Sequence, residues 1–589
     1  MSQTTTQPRA AADEQTDAGD AIQRWTADFL SAVVSGDPAR IANHFTPEGS
    51  VRDLLAFSWD FRNAIGREEI GALLTAGTTP PASISVKAGS TPTLSADAGA
   101  RSISTFLSFD AEAGSGDGFL RLVETEPDVW LADSLLLSLA TLKSHPEQLG
   151  ENRPIGRSHG PLPDRRTWHE QVDADFEQQD PAVVIVGSGH SGLMLAARLR
   201  VLGVRTLIVE RNDRVGDNWR KRYSSLALHT PLASDQLPYI PYPPTWTKFT
   251  PKDKYGDFLE SYAKLLDLTV WTGTQIETAA YDEQGHRWKL DVVRPDGSRR
   301  TLVPGHLVFA TGMNGEPFLP DFPGREKFDG TVIHAVGYRG HAEWAGKKAV
   351  VVGTGVSGHD LAQDLAEHGV DVTMIQRSGT VVMNTSTFHT VMHANHVGGE
   401  FTTEEADLLN AAAPFGQLPS FGGAQLDAAK KLDGTLLDSL TRAGFKLSEG
   451  PDGQGVLGLI FGNNATGYYY NAGASELIAD GTIKLRHGGV TGFDERGVTL
   501  DDGTTVEADL VVFATGYRGA TTAVREVLGD AIADDLGEFA HVGVDREYGR
   551  LWRHSGHDRL WMMISLGIGD GRFYSKLLAL QIAAMEAGD

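Results

Sequence analysis

The chain of 589 residues contains no cysteine. That absence excludes disulfides, thiolate metal sites, iron–sulfur clusters and any mechanism built on a redox-active dithiol. No apolar run approaches the ~20 residues that cross a bilayer. The opening MSQTTTQPRAAADEQTDAGD lacks the basic-then-apolar order of a secretory signal. The expectation is a cytoplasmic protein with no membrane partner. Positive charge is also short: 52 Lys and Arg against 77 Asp and Glu leave a net charge of −25. This argues against nucleic acid or an anionic surface as a general partner. A phosphate-bearing ligand must then be held by local devices such as helix N-termini and single arginines.

What is present divides the chain. At roughly 150 residues per domain, the length predicts three or four units. Residues 1–19 read as a polar, disordered tail. Over 20–145 the helical pattern AIQRWTADFLSAVVSG is followed by short strand-like segments (SISVKA, ARSISTFLSF, GFLRLVETE, VWLADSLLLSLATL). Gly, Asp, Pro and Ser punctuate them, which predicts a small α+β domain. Residues 146–180, rich in Pro, Arg, Asp and Gln, read as a linker along the surface. From Pro181 onward strand, helix and strand alternate, as in doubly wound parallel α/β sheets. The stretch of about 379–464 is too long for a loop and has helical pieces, so it reads as an inserted helical subdomain. Within it His389, His393 and His396 share a helical face but have no carboxylate beside them before Glu400. No metal site is expected there.

The strongest signal is a phrase written twice. VVIVGSGHSG begins at Val183 and VVVGTGVSG at Val350. In the first, Gly187, Ser188, Gly189, Ser191 and Gly192 form a G-x-G-x-x-G loop. The first glycine permits the turn, the second lets the backbone approach a pyrophosphate, and the third lets helix and strand pack closely. About 20 residues on, the next strand ends at Glu210 and Arg211. A carboxylate there suits the hydroxyls of an unphosphorylated ribose. In the second, Gly353, Thr354, Gly355, Ser357 and Gly358 repeat the loop, and the following strand ends in Arg377 and Ser378. Arginine offers a charged fork to a 2′-phosphate. The pair predicts two Rossmann-like dinucleotide-binding domains, one for FAD and one for NADPH, with hydride passing from the second to the first. The FAD-binding domain is expected over 181–330 and 500–589, and the NADPH-binding domain over 331–499.

Further phrases carry a resemblance. RVGDNWR contains Gly216, Trp219 and Arg220; LVFATG ends in Thr311 and Gly312; LVVFATGY contains Thr515 and Gly516; FDGTVIHAVGY spans Phe328–Tyr338; the chain closes on GDGRFYSKLLALQIAA. From about Ala182 onward the chain resembles the flavin-containing monooxygenases, close to the plant indole-pyruvate enzymes. The first domain resembles the cone-shaped nuclear-transport-factor-2-like fold. Asp53 and Asp60 are candidates for the mouth of such a cone, with a rim or domain contact as the plainer reading. Cones of this kind often pair, which makes a homodimer a candidate arrangement. The resemblance implies that FAD, NADPH and O2 oxygenate a small molecule through a C4a-(hydro)peroxyflavin. The substrate would be an amine or sulfide, or a ketone or 2-oxo acid. It implies cofactor contacts at Gly216, Trp219 and Arg220, in the segment that packs FAD, and at Thr311, Gly312, Thr515 and Gly516, where the chain crosses between the nucleotide domains. Many relatives carry an asparagine that supports the activated oxygen; here His229 and Thr230 stand at that place, with Asn314 as a second candidate. Rival readings are Baeyer–Villiger ketone oxygenation, an uncoupled NADPH oxidase and a non-catalytic flavin redox sensor.

Overall fold

Runs of Val and Ile, stiff at χ1 and suited to a buried pleated surface, form the central strands of two parallel sheets. The computed structural model describes residues 7–588 apart from 77–78, 98–99, 157–158, 162, 169, 171–175, 178, 463–466, 538 and 540. The first parallel sheet has the order Thr269–Trp271, Thr206–Val209, Val183–Val186, His306–Phe309, Leu560–Met562. Val183 pairs with Thr206 on one side and with His306 on the other. The second has the order Thr331–His334, Leu510–Phe513, Lys348–Val352, Asp371–Gln376, Lys484–His487. Each carries a three-stranded antiparallel annexe, at residues 275–302 and 490–507.

In both sheets the strand leading into a glycine loop lies beside a strand from much later in the chain. Strand order reverses at that point, and ligands bind in the crevice beyond it. The later strands, His306–Phe309 and Leu510–Phe513, end in the two ATG phrases. After each, the chain crosses to the other sheet or its surroundings. This corrects the expected boundary at residue 500. Leu510–Phe513 pairs with Thr331–His334 and with Lys348–Val352, so the second unit continues to about 514, and only the later segment returns to the first. The two ATG phrases are near-identical in sequence, and only strand pairing assigns each to its sheet.

The insertion is bracketed by a parallel pair, Val381–Asn384 and Tyr468–Asn471. Between them lie the helices Thr385–Met392, Ala394–Val397, Thr403–Ala411, Leu418–Arg442 and Gly455–Phe461. The chain ends in helix Ile568–Ala587, which packs on helix His190–Val201.

The first unit sets helices against one seven-stranded sheet. Its leading helix runs Gln7–Ser35, so residues 7–19, read as part of a disordered tail, are helical. Ala-rich sequence with few β-branched residues favours that outcome. Trp25 and Phe29 stack at 4.8 Å and meet Phe45 edge-on. Of the described linker residues, Phe176 is buried under the Arg205 guanidinium.

Candidate functional site

Both glycine loops have the geometry of nucleotide cradles. Gly187 and Gly353 sit at φ +105° and +114°, left-handed backbone that disfavours side chains. A Cβ on Gly187 would come 2.8 Å from the Ala310 carbonyl oxygen, and one on Gly353 2.6 Å from that of Ala514. Cβ atoms on Gly192 and Gly358 would fall onto the carbonyl oxygens of Gly187 and Gly353. The middle glycines differ. A Cβ on Gly355 would meet nothing within 4 Å, and one on Gly189 only the Asn218 amide at 3.6 Å. The space left there is what a close approach of a pyrophosphate requires. Helices His190–Val201 and Val356–Glu367 begin at Gly189 and Gly355 with no side-chain cap among the described residues. Their first-turn N–H groups remain available to phosphate.

Glu210 does more than the sequence implied. Its carboxylate accepts from the Ser188 N–H at 2.8 Å, the Ser188 hydroxyl at 2.7 Å, and the backbone and side-chain N–H groups of Asn212 at 2.8 Å. Four donors fill a carboxylate's lone pairs. Glu210 therefore braces the first loop, and a ribose hydroxyl must displace one of these donors to reach it. Ser191 is bonded to Ser565 at 2.7 Å. The Trp219 indole N–H and the Thr311 hydroxyl are buried without a partner. Such orphaned groups are costly unless a ligand satisfies them, and they flank the first loop, so the residues present fit FAD.

Two residues of the RVGDNWR phrase are engaged within the protein. Arg220 is engaged by Asp217, Asp257, Glu260 and the Val215 carbonyl. A Cβ on Gly216 would strike the Gly256 carbonyl. Both residues lock the RVGDNWR turn onto helix Lys252–Leu265. Around the second loop, Thr354 and Thr380 hydroxyls meet at 2.7 Å, Ser357 lies beside the buried Tyr223 phenol, and Arg377 and Ser378 are exposed at the end of strand Asp371–Gln376. Arg211, at the equivalent end in the first sheet, is also exposed. Thr515 donates to the Phe318 carbonyl at 2.5 Å. The Gly516 carbonyl accepts from His334 at 2.9 Å, which ties the FDGTVIHAVGY phrase to the second crossing.

The candidate reaction zone gathers at the junction of the first sheet's loops, the second unit and the insertion. Thr230 donates to Asp235 at 2.5 Å. The His229 Nε2 has no hydrogen-bond partner and lies 3.6 Å from Asp360, while the His229 carbonyl accepts from His389 at 2.6 Å. A cavity of about 510 Å³ opens here, lined by His229, Phe249, Asp360, Asp364, Glu367 and Asn384 among others. Asn314 is exposed, and among the described residues no hydrogen bond joins it to His229 or Thr230. Of the three residues singled out from sequence, the structure brings two together. Asp53 is buried and organises a turn, accepting from the Ala56 and Phe57 N–H groups and the Ser58 hydroxyl. Asp60 lies 3.7 Å from Arg553 at the contact between units.

Asp235 escaped the sequence reading, because only the fold buries it. That burial pushes its carboxyl up to about 7, against the Thr230 hydrogen bond and the Arg572 charge. The same is true of Arg572, which is buried. It donates to both Asp407 oxygens and to the Ser234 and Gln236 carbonyls, joining the closing helix, the insertion and the segment that carries Asp235. Burial alone would raise the Asp407 carboxyl, but Arg572 and His396 hold it below its ordinary range. A lone arginine in the apolar closing helix was the only signal in sequence.

A test follows from Asp235. Its folded pKa of about 7 lies above its ordinary 3.8. The folded state thus holds a proton that the unfolded state releases, and this group's contribution to stability is full below the ordinary value and lost as pH rises through about 7. Asp235→Asn removes that loss. Relative to the parent, the variant is expected to gain roughly 1–3 kcal/mol between about pH 5 and pH 8, read from urea unfolding at each pH. A parallel pH dependence in both proteins would show that Asp235 is solvated.

The fold and loops define an oxidoreductase with two dinucleotide-binding domains, and known proteins narrow the class. Residues 181–398 match the family model described as pyridine nucleotide-disulphide oxidoreductase. The chain is 33% identical over 358 residues to indole-3-pyruvate monooxygenase YUCCA1 of Oryza sativa subsp. japonica, covering 59% of this chain and 80% of that protein. It is 32% identical to probable indole-3-pyruvate monooxygenase YUCCA9 of Arabidopsis thaliana, covering 57% and 74%. Among solved structures, cyclohexanone monooxygenase with bound ε-caprolactone aligns with a TM-score of 0.50 at 17% identity, covering 69% of this chain and 88% of that one. The OTEMO complex with FAD and NADP aligns with a TM-score of 0.50 at 15% identity, covering 70% and 87%. These two likenesses concern the fold. The chain belongs to the flavin monooxygenase family and is a flavin-dependent monooxygenase that uses FAD and NADPH. With no cysteine in the chain, the dithiol chemistry in the name of the matching family model has no counterpart here. Among the described residues, no helix is long and apolar enough to cross a membrane.

Proposed function

We propose that this enzyme transfers one atom of O2 to a small neutral or cationic molecule, an amine or sulfide, beside His229 and Thr230. The observation that carries the reading is the cavity at His229. It receives Asp360, Asp364 and Glu367, and among the described residues its lining includes no lysine or arginine. An anionic 2-oxo acid, the substrate class in the names of the plant relatives, finds no counter-charge there. A neutral or cationic group does not suffer that repulsion.

The residues divide the work. The first loop with Trp219 and Thr311 holds FAD, and Glu210 fixes the shape of that loop. The second loop with Arg377 and Ser378 holds NADPH. FAD held there would supply the hydride-accepting and oxygen-activating chemistry. Around it the chain orients substrate, excludes water and places protons. Thr230 is the mobile element: while Asp235 is ionised the hydroxyl proton points at the carboxylate, and when Asp235 is protonated that hydroxyl can donate outward. His229 Nε2 offers a second polar atom to the cavity. The helix-then-sheet order of the first unit supports reading it as a cone-shaped nuclear-transport-factor-2-like domain. In this reading it buttresses the oxygenating machinery.

The test is to supply FAD-loaded protein with NADPH in air and a panel of amines, sulfides, ketones and 2-oxo acids, counting product, peroxide and NADPH. Product matching NADPH consumed for an amine or sulfide is the expected result. Coupling only to 2-oxo acids or ketones overturns the substrate class. Peroxide matching NADPH across the panel identifies an uncoupled oxidase, and an unbleached flavin identifies a sensor.

A further inference from the structure

Outside the nucleotide cradles, one cluster of ligand-type side chains lies at the edge of the His229 cavity, whose lining includes its Asp364. His341 lies three residues beyond Tyr338, on the segment that leaves the FDGTVIHAVGY phrase. Asp364 and His368 are four residues apart at the end of helix Val356–Glu367. Ligand-capable atoms of all three lie within 4.8 Å of one another.

Their surroundings are those of metal ligands. Asp364 is buried, yet among the described residues no lysine or arginine pairs with it. A buried carboxylate without a cation is expensive. One of its oxygens accepts from the Tyr338 hydroxyl at 2.6 Å; the other faces the Nδ1 atoms of His341 at 3.3 Å and His368 at 3.7 Å. The His368 Nδ1–H donates to the Asp364 carbonyl at 2.7 Å, which fixes the tautomer and leaves the Nε2 lone pair free. Metal-binding histidines are commonly oriented in this way, by a hydrogen bond from the other ring nitrogen to a carbonyl or carboxylate. The two rings lie face to face, 3.2 Å apart and 3° from parallel.

We propose that His341, Asp364 and His368 bind a divalent cation of the zinc type. Two imidazoles and a carboxylate suit zinc, nickel or copper better than magnesium or calcium, and three protein ligands leave a position for water. The stacked rings must splay to converge on one ion; their side chains are 35% and 41% exposed, which leaves room for that movement. Tyr338 orients the carboxylate from outside the ligand set. The ion clips the segment after Tyr338 to the helix whose N-terminus carries Gly355, Ser357 and Gly358, and so stiffens the NADPH-binding half.

The experiment uses tag-free, FAD-loaded, full-length protein stripped with a chelator. Zinc chloride is titrated by calorimetry and by thermal melting, with magnesium chloride as the control. One zinc per chain with a rise in Tm, and no response to magnesium, is expected. His341→Ala and His368→Ala should each weaken zinc binding at least ~10-fold at unchanged flavin content, and Tyr338→Phe by roughly 10-fold. Should either histidine variant lose flavin, the visible absorption of Co2+ bound to the unmutated protein decides between protein-ligated and fully hydrated metal. No zinc response, fully hydrated cobalt, or binding that survives in the His341→Ala/His368→Ala double variant overturns the site.

Discussion

Arg52→Met is expected to destabilise the protein by about 3–5 kcal/mol, because it strands a buried carboxylate. Arg52 and Glu547 are each 1% exposed. The guanidinium donates to both Glu547 oxygens at 2.9 and 2.8 Å, to the Ala411 carbonyl at 2.7 Å and to the Tyr574 hydroxyl at 3.1 Å. It also lies 4.9 Å from the Phe415 ring centroid. One side chain of the first unit thus grips the insertion, the segment before the last strand, and the closing helix. Without it, among the described residues, the Glu547 carboxylate keeps only the Asn63 amide, at 2.8 Å. Urea unfolding and limited proteolysis of the full chain read the loss, with cleavage expected to appear first where the units meet. The double variant Arg52→Met/Glu547→Leu should recover most of the stability, since apolar groups of similar volume often replace a buried pair at little cost. A single variant that loses under about 1 kcal/mol would mean that water reaches the pair and the first unit is loosely held.

The parts legible in the sequence were those fixed locally. A Val/Ile run that breaks into glycines at a set spacing, followed by a helix and a second strand, has few other solutions, and the structure sets both loops at strand-order reversals. Gly187 and Gly353 could be read because the backbone itself demands them. What escaped was set by contacts between distant segments. Asp235 looks like any polar residue in SDQLP until Arg572, from the closing helix, organises the backbone around it. Arg220 reads from sequence only as part of a flavin-type phrase, and its ion pairs with Asp257 and Glu260 appear only when the helix that follows packs against it. The boundary near residue 500 was misplaced because antiparallel annexe strands carry no mark of the sheet they serve. His341 meets Asp364 and His368 only through the path that the chain takes after Tyr338, and no spacing rule joins them.

The coenzyme preference makes the sharpest test of the paired loops, since they differ chiefly in the residue that ends the second strand. In the first sheet that residue is Glu210, buried and saturated with donors. In the second it is Arg377, exposed, with no carboxylate within ion-pair distance among the described residues. Its neighbours hold the strand end in place: Gln376 is fully buried and exchanges hydrogen bonds with the Lys446 backbone at 2.8 and 2.9 Å, and the Gly353 N–H donates to the Ile375 carbonyl at 3.2 Å. The backbone that carries Arg377 is therefore held beside the loop, and among the described residues its guanidinium donors are unspent. Arg377→Ala costs the fold nothing that the structure shows, and its effect should fall on the 2′-phosphate alone. A charge-assisted contact of about 1.5–3 kcal/mol corresponds to roughly 10–150-fold. The KM for NADPH is expected to rise by that factor while the KM for NADH stays within about twofold of the parent, and Arg377→Lys, which keeps the charge without the fork, should fall between. Steady-state kinetics with both coenzymes at two ionic strengths checks this, since added salt should weaken NADPH binding in the parent more than in the alanine variant. Equal losses for the two coenzymes would place the phosphate elsewhere and remove the asymmetry on which the assignment of the second loop rests.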